Sequence, residues 1–268
     1  MQNVLLLIDN INFRLMKKTL LGYLCFLLLF VACTQDADLA ISEGGKSGSI
    51  TRFTTHQGYM YVLNLNEVQT YSLSNPNKPL LVHTLTTDYG LETINIYDNT
   101  IFLGSTTALY ILDISDPAQP VLLSKTDRSL AFFSGCDPVV VKGNYAYSTV
   151  KTIINICGNS SSMSAVIVFD IVDKTRPIEL AFYELVAPNG LGYKNNYLFV
   201  CDEGSDYLEV FDISEPNKLV KTSLGIPIID PIDLIIDGSK MFVATKTDFQ
   251  IFDVSDMNNI RRIGKIER

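Results

Sequence analysis

From about Ser49 onward, hydrophobic and polar residues alternate in short runs rather than in long helical stripes. YMYVLN (59–64), LYILDI (109–114), AVIVFDI (165–171) and KMFVAT (240–245) are typical. They are rich in Val, Ile, Tyr, Phe and Thr, the residues that fit a pleated surface. No stretch in this region sustains a 3.6-residue period, so the pattern predicts an all-β body. Tight turns separate some of the runs: Asp98-Asn99, Gly143-Asn144, Asn195-Asn196 and Asp237-Gly238. Asn, Asp and Gly tolerate the positive φ that short hairpins need. Other runs are parted by a link bracketed by Pro76, Pro79, Pro117, Pro120 and Pro177, which fix φ and stop the preceding strand.

The pattern repeats. Ser72-Leu73, Asp113-Ile114, Asp170-Ile171, Asp212-Ile213 and Asp253-Val254 each open the proline-type link, at spacings of 41, 57, 42 and 41 residues. The long interval contains an insertion around NICGNSSSMS, Asn155 to Ser164. Four short strands per repeat of about 41 residues is the signature of a β-propeller blade, which cannot bury both of its faces alone. The expectation is a five-bladed β-propeller of four-stranded antiparallel blades, residues 49–268, with repeats at about 49–90, 91–134, 135–186, 187–229 and 230–268. Each repeat would start with its inner strand and end with its outer one. The ring should then close by packing of the fifth unit on the first, with Leu39–Ser42 as a possible extra edge strand. The Asp residues that end each third strand are expected to cap the following turn through their side chains, with Ser72 doing the same in the first repeat.

LYILDISDPAQPVLL, VFDIVDKTRPIEL and LEVFDISEPNKLV resemble the LVIVD repeat of bacterial surface proteins. The resemblance is weakest in the first unit, where Ser72 replaces Asp, and in the last, which lacks both prolines. It implies a propeller fold and an exported, envelope-bound protein, and it implies no particular reaction.

The N-terminal region has a different character. Lys17 and Lys18 precede an apolar stretch from Thr19 to Ala32, and Phe30-Val31-Ala32-Cys33 follows the pattern of a lipobox. The stretch has the length of a signal h-region and is shorter than the roughly 20 residues of a spanning helix. Residues 1–32 therefore read as a lipoprotein signal peptide, with Met16 as an alternative start. Cys33 reads as the lipidated residue, and 33–48 as a Gly/Ser-rich flexible tether. An ordinary secretory signal is the competing reading. Asp36 and Asp38 behind the cysteine are similar to an acidic surface-export signal. The predicted address is the bacterial outer membrane or cell surface, reached through an N-terminal lipid. Net charge is −8 without a basic run, which argues against a nucleic-acid surface.

Candidate chemistry falls on the face formed by the second-to-third links and the inter-repeat links. Asp137, Asp202, Glu203, Asp230 and Asp233 gather there on the propeller reading. Such a rim could hold Ca²⁺ or supply an acid/base pair for glycan hydrolysis or lysis, but turn capping and solvation are the stronger reading of these acids. No catalytic or cofactor motif is present: GxSxG, HExxH, P-loop and GxGxxG are all missing, and the two histidines, His56 and His83, have no suggestive partners. The leading expectation is a binding or interaction scaffold for an envelope protein or glycan, with a glycan-active enzyme as the alternative.

Cys136 and Cys157 fall in the same repeat and on the same face, in an oxidising compartment. A Cys136–Cys157 disulfide would contribute about 3 kcal/mol for its loop of roughly 20 residues; two separate buried thiols are the alternative. Cys201 has no partner in this scheme. Alkylation of the denatured, unreduced, processed protein should therefore label Cys201 alone. Labelling at Cys136 and Cys157 as well would show that they are separate thiols.

Overall fold

The computed structural model describes residues 46–48, 51–106, 108–127, 138–151 and 164–268. Cys33, Asp137, Cys136, Cys157 and the Leu39–Ser42 segment lie outside the described residues.

A short strand, β1 (Lys46–Gly48), precedes five antiparallel sheets, each drawn from one consecutive stretch of chain. Sheet one holds β2 (Phe53–His56), β3 (Tyr59–Asn64), β4 (Glu67–Ser72) and β5 (Leu80–Thr86). Sheet two holds β6 (Leu91–Tyr97), β7 (Thr100–Ser105), β8 (Ala108–Asp113) and β9 (Val121–Asp127). Sheet three holds β10 (Val139–Lys142), β11 (Tyr145–Val150), β12 (Ser164–Asp170) and β13 (Ile178–Leu185). Sheet four has β14 (Pro188–Lys194), β15 (Tyr197–Asp202) and β16 (Tyr207–Asp212). Its outer edge is split into β17 (Val220–Lys221) and β18 (Ile226–Pro227). Sheet five holds β19 (Pro231–Asp237), β20 (Lys240–Thr245), β21 (Asp248–Asp253) and β22 (Arg261–Glu267).

Local chemistry fixes each sheet. At the first hairpins φ is positive at Asp98, Asn195 and Gly143, residues that tolerate it. At the third-strand ends, Asp113, Asp170, Asp212 and Asp253 accept the backbone N–H two residues on, at 2.8–3.0 Å, and Ser72 does so at 3.4 Å. A second turn follows at once, closed by N–H donation from Lys78 to Asn75, Gln119 to Asp116, Arg176 to Asp173, Lys218 to Glu215 and Asn259 to Asp256. In sheets one, two, three and five the pairing of third with fourth strand shifts register at the same place. A bulge there twists the outer strand away from its neighbour.

Side chains of successive sheets interleave. Tyr61, Leu63 and Val68 of sheet one meet Ile101, Leu103 and Tyr110 of sheet two. Phe102, Leu109 and Ile111 on the other face of sheet two meet Val139, Ala146 and Ile167 of sheet three. Tyr147, Val166 and Val168 then meet Leu198, Val200 and Phe211, and Phe199, Leu208 and Val210 meet Met241, Val243 and Phe252. In each sheet the third residue of the second strand is aromatic: Tyr61, Phe102, Tyr147, Phe199 and Phe242. The first four are fully buried against the following sheet, whereas Phe242 remains partly exposed.

That difference corrects the expected closure. Among the described residues, sheets two to four are covered by a sheet on both faces, but sheets one and five on one face each. Phe53 is 60% exposed on sheet one, and Ile235 is 51% exposed on sheet five. The physical reason lies at the centre. β1 pairs antiparallel with β14, Ser47 opposite Gly192, and also touches β6, β10 and β19, the inner strands of sheets two, three and five. A strand in that position occupies the space into which the inner strands would draw together, so five sheets fall short of a full circle. The added strand is Lys46–Gly48, at the end of the segment read as a tether.

If the forward face of sheet five is open, the same truncation should cost different amounts at equivalent places. Phe199→Ala, in a sealed interface, should destabilise by roughly 3–5 kcal/mol, and Phe242→Ala by about 1 kcal/mol, in urea unfolding. Equal losses would mean that Phe242 is sealed in solution.

Candidate functional site

Among the described residues, the predicted acids Asp202, Glu203, Asp230 and Asp233 play different parts. Asp202 ends β15 and is buried, 1% exposed. Its carboxylate accepts the backbone N–H groups of Ala187 (2.6 Å) and Val186 (3.2 Å) and the Ser205 hydroxyl (2.9 Å). It therefore staples the link between sheets three and four to the end of the second strand, a turn-capping role of the kind short acidic side chains adopt.

Glu203 opens a single 3₁₀ turn, Glu203–Ser205. One carboxylate oxygen accepts Lys151 Nζ at 2.8 Å and Asn189 Nδ2 at 3.0 Å; the other meets Lys246 Nζ at 2.6 Å. Lys246 also reaches Asp230 at 2.9 Å. Lys151 follows β11 in sheet three, Asn189 and Glu203 belong to the sheet-four repeat, and Asp230 and Lys246 flank strands of sheet five. Glu203 thus ties three sheets together at one end of their second strands. The hydrogen bonds from Lys151, Lys246 and Asn189 pull its carboxyl down to about 2, and those same bonds from Glu203 and Asp230 hold Lys246 above the usual ammonium range.

Asp230 takes a left-handed backbone, φ 48°, and its N–H donates to Asp206 at 2.9 Å. Asp233 lies on β19. Its carboxylate accepts the N–H of Leu234 at 2.9 Å, and a Cβ at Gly190 would collide with its side chain and Cα. Glycine at 190 is thus what lets the inner strands of sheets four and five approach. Asp233 also borders a groove of about 340 Å³ with Ile232, Ile235, Phe242, Ala244, Phe249 and Arg268 on the open face of sheet five. Among the described residues, no group of three or more His, Cys, Asp or Glu side chains is placed to hold a metal ion. Cys201 is fully buried between sheets four and five, and burial, reinforced by the nearby Asp233 charge, pushes its thiol well up. It behaves as a small hydrophobe.

Chemically, the Glu203 cluster is a charged, partly solvated patch. A carboxyl held near 2 stays ionised at neutral pH, the wrong direction for a proton donor. The residues that sequence reasoning missed are Lys151, Lys246 and Asn189. Two of them had a signal: the position just after the second strand reads Lys151, Glu203 and Lys246 in sheets three, four and five. Aligning repeats on that strand end shows the alternation of charge.

The LVIVD repeat family matches residues 92–127 and 192–222, the greater part of the second and fourth repeats, so the chain carries LVIVD repeats. No curated protein matches the sequence. Among solved structures, a protein from Lactobacillus plantarum aligns at 14% identity with a TM-score of 0.62, over 78% of this chain and 68% of its own. A candidate 6-phosphogluconolactonase from Bacteroides uniformis aligns at 14% identity with a TM-score of 0.61, over 80% of this chain and 70% of its own. At that identity the likeness concerns the fold, which is of the β-propeller type.

The lowered value at Glu203 has a definite pH consequence. A carboxyl whose folded value lies below its ordinary 4.5 stabilises the fold fully above about that pH, and the contribution is lost as pH falls toward about 2. Glu203→Gln should cost about 1–3 kcal/mol in urea unfolding at pH 7, between an exposed and a buried ion pair. The gap from the unaltered protein should narrow progressively below pH 4.5. A gap that stays constant down to pH 2.5 would sink this account.

Proposed function

We propose that this LVIVD-repeat chain is an exported, lipid-anchored propeller of five four-stranded blades that serves as a binding scaffold on the bacterial cell envelope, for an envelope protein or a glycan. Two lines support the reading. The N-terminal pattern, basic residues followed by an apolar run ending in Phe30-Val31-Ala32-Cys33, supports export and attachment through a lipid on Cys33. The propeller body offers at its second-strand ends a polar patch of Lys151, Asn189, Glu203, Asp230 and Lys246 that spans three sheets.

The observation that carries a binding role over a glycan-cleaving one is the fixed state of the acids. A glycan-active site needs two carboxyls free to exchange protons or to attack. Here Asp202 caps a buried link, and Glu203 is clamped by two lysines and an asparagine. Fixed charges and amide groups of both signs suit hydrogen-bonded recognition of a polar surface instead.

The anchor and the patch are tested separately. Cys33→Ala should abolish incorporation of labelled palmitate and move the protein from the membrane to the soluble fraction. Intact cells making the unaltered protein should lose it to added protease. In glycan-array and pull-down assays, Lys246→Ala should reduce capture at least tenfold while the far-ultraviolet spectrum is unchanged, the scale expected when one partner of a charge-assisted contact is removed. Membrane retention of Cys33→Ala would defeat the lipid anchor. Turnover of a glycan that disappears in Glu203→Gln would defeat the scaffold.

A further inference from the structure

The four contacts between successive sheets all use the same pair of surfaces. One sheet presents its forward face: an aromatic at the third residue of the second strand, with two buried positions on the third strand, both apolar in sheets two to four and Val68 with Thr70 in sheet one. The next sheet covers it with its backward face. In sheet five the forward face is complete, and among the described residues no sheet covers it. Phe242, Phe249 and Ile251 stand where Phe102, Leu109 and Ile111 stand in sheet two, and Phe249 is 39% exposed. In sheet one the backward face is complete, and among the described residues no sheet covers it. Met60, Val62, Gln69 and Tyr71 stand where Ile101, Leu103, Tyr110 and Leu112 stand in sheet two, and Phe53 lies beside Val62.

Charge also matches. On sheet five, Arg268 lies over the Phe249 ring, its guanidinium carbon 4.4 Å from the centroid. On sheet one, the Tyr71 hydroxyl donates to Gln69 (2.9 Å), whose amide donates to Glu67 (3.2 Å), so the carboxylate ends a polar ladder. Arg268 and Thr87 are equivalent, since their N–H groups bond to Thr247 and Asn66, the residues just before the third strand. Next to Thr87, Asp88 already crosses from sheet one to sheet two, where it accepts Tyr110 (3.3 Å) and Lys125 (2.8 Å). Tyr110 is the counterpart of Gln69. Arg268 occupies the position of Thr87, next to the place from which Asp88 crosses, and its longer side chain lies on the open face over Phe249, where a following sheet's Gln69–Glu67 ladder would come.

We propose that the chain associates head to tail with a second copy of itself, the forward face of sheet five in one copy taking the backward face of sheet one in the next. The contact continues the interface that the chain builds four times within itself. Because its two surfaces differ, it is heterologous, and it adds copies along an open series rather than stopping at a two-fold dimer.

Sedimentation velocity of residues 34–268, which leave out the apolar signal stretch and the lipidated cysteine, over about 1–100 µM, the range of modest protein affinities, should show species larger than a monomer that grow with concentration. Phe249→Glu blocks sheet five and Phe53→Glu blocks sheet one, so each variant alone should be monomeric. An equimolar mixture of the two should form a dimer and nothing larger, because each variant retains the face that the other lacks. Arg268→Glu and Glu67→Arg, outside the core clusters, give an independent pair. Each alone should weaken association at least tenfold, and mixing should restore it. A monomeric unaltered chain throughout the range overturns the proposal, as does a mixture of the two phenylalanine variants that remains monomeric while both are folded. The first result points to closure within one chain, the second to a contact between like faces.

Discussion

The structure depends on one constraint: a four-stranded sheet with apolar residues on both faces stays dry only when another sheet lies against each face. Alternation along a strand sends neighbouring side chains to opposite faces, so every strand of an inner sheet must satisfy two neighbours at once. β7 and β8 show the outcome, with nearly every position buried from one end to the other. β3 and β20, at the two ends of the series, keep every second position sealed and leave the alternate ones partly exposed. The difference has nothing to do with strand propensity, which is similar throughout. It comes from the number of neighbours.

The same constraint explains why so much of the architecture could be read from the sequence. Strand spacing, hairpin turns and the Asp caps are local, and local chemistry repeats: Asp113, Asp170, Asp212 and Asp253 each find the N–H two residues on because the turn demands it. Closure of the ring is a different kind of property. It depends on the distance between inner strands and the axis, which no repeat encodes. Here the inner strands also meet Lys46–Gly48, a short triplet whose composition fits a tether as well as it fits a strand. The charged cluster was only half legible for a related reason. Glu203 is conspicuous beside Asp202, but its partners sit 52 residues before it and 43 residues after it, and they are joined only by occupying the same place in adjacent repeats.

Where repeats agree, their residues serve the fold; where they differ, there is freedom to do something else. The position after the second strand shows this at its simplest. Leu65 and Thr106 hold it in sheets one and two, and Lys151, Glu203 and Lys246 hold it in the other three. Apolar packing already joins sheets three, four and five, so the ion pairs are not needed to exclude water there. An isolated exposed pair adds little on average, and the cost of about 1–3 kcal/mol expected at Glu203 reflects three donors meeting one mostly buried carboxylate. What a shared carboxylate does add is register: one acid that accepts from both neighbours fixes the relative height of three sheets more sharply than apolar surfaces can. A binding surface composed of links from several sheets needs that alignment.

The open ends bear on solubility as well as on assembly. On the open faces of sheets one and five, Phe53, Ile235 and Phe249 face solvent, in addition to the apolar residues that every outer strand exposes. Several features keep the edges from sticking indiscriminately. β22 carries Arg261, Arg262, Lys265 and Glu267, and side-chain charge on an edge strand discourages pairing with foreign strands. Arg268 lies across Phe249, and the Tyr71–Gln69–Glu67 ladder crosses the face of sheet one. These polar groups interrupt the apolar area without filling it. A surface treated in this way accepts a partner that offers the opposite charge at the right height and rejects one that offers only hydrophobic contact, which is the usual division of labour between burial and charge at a specific interface.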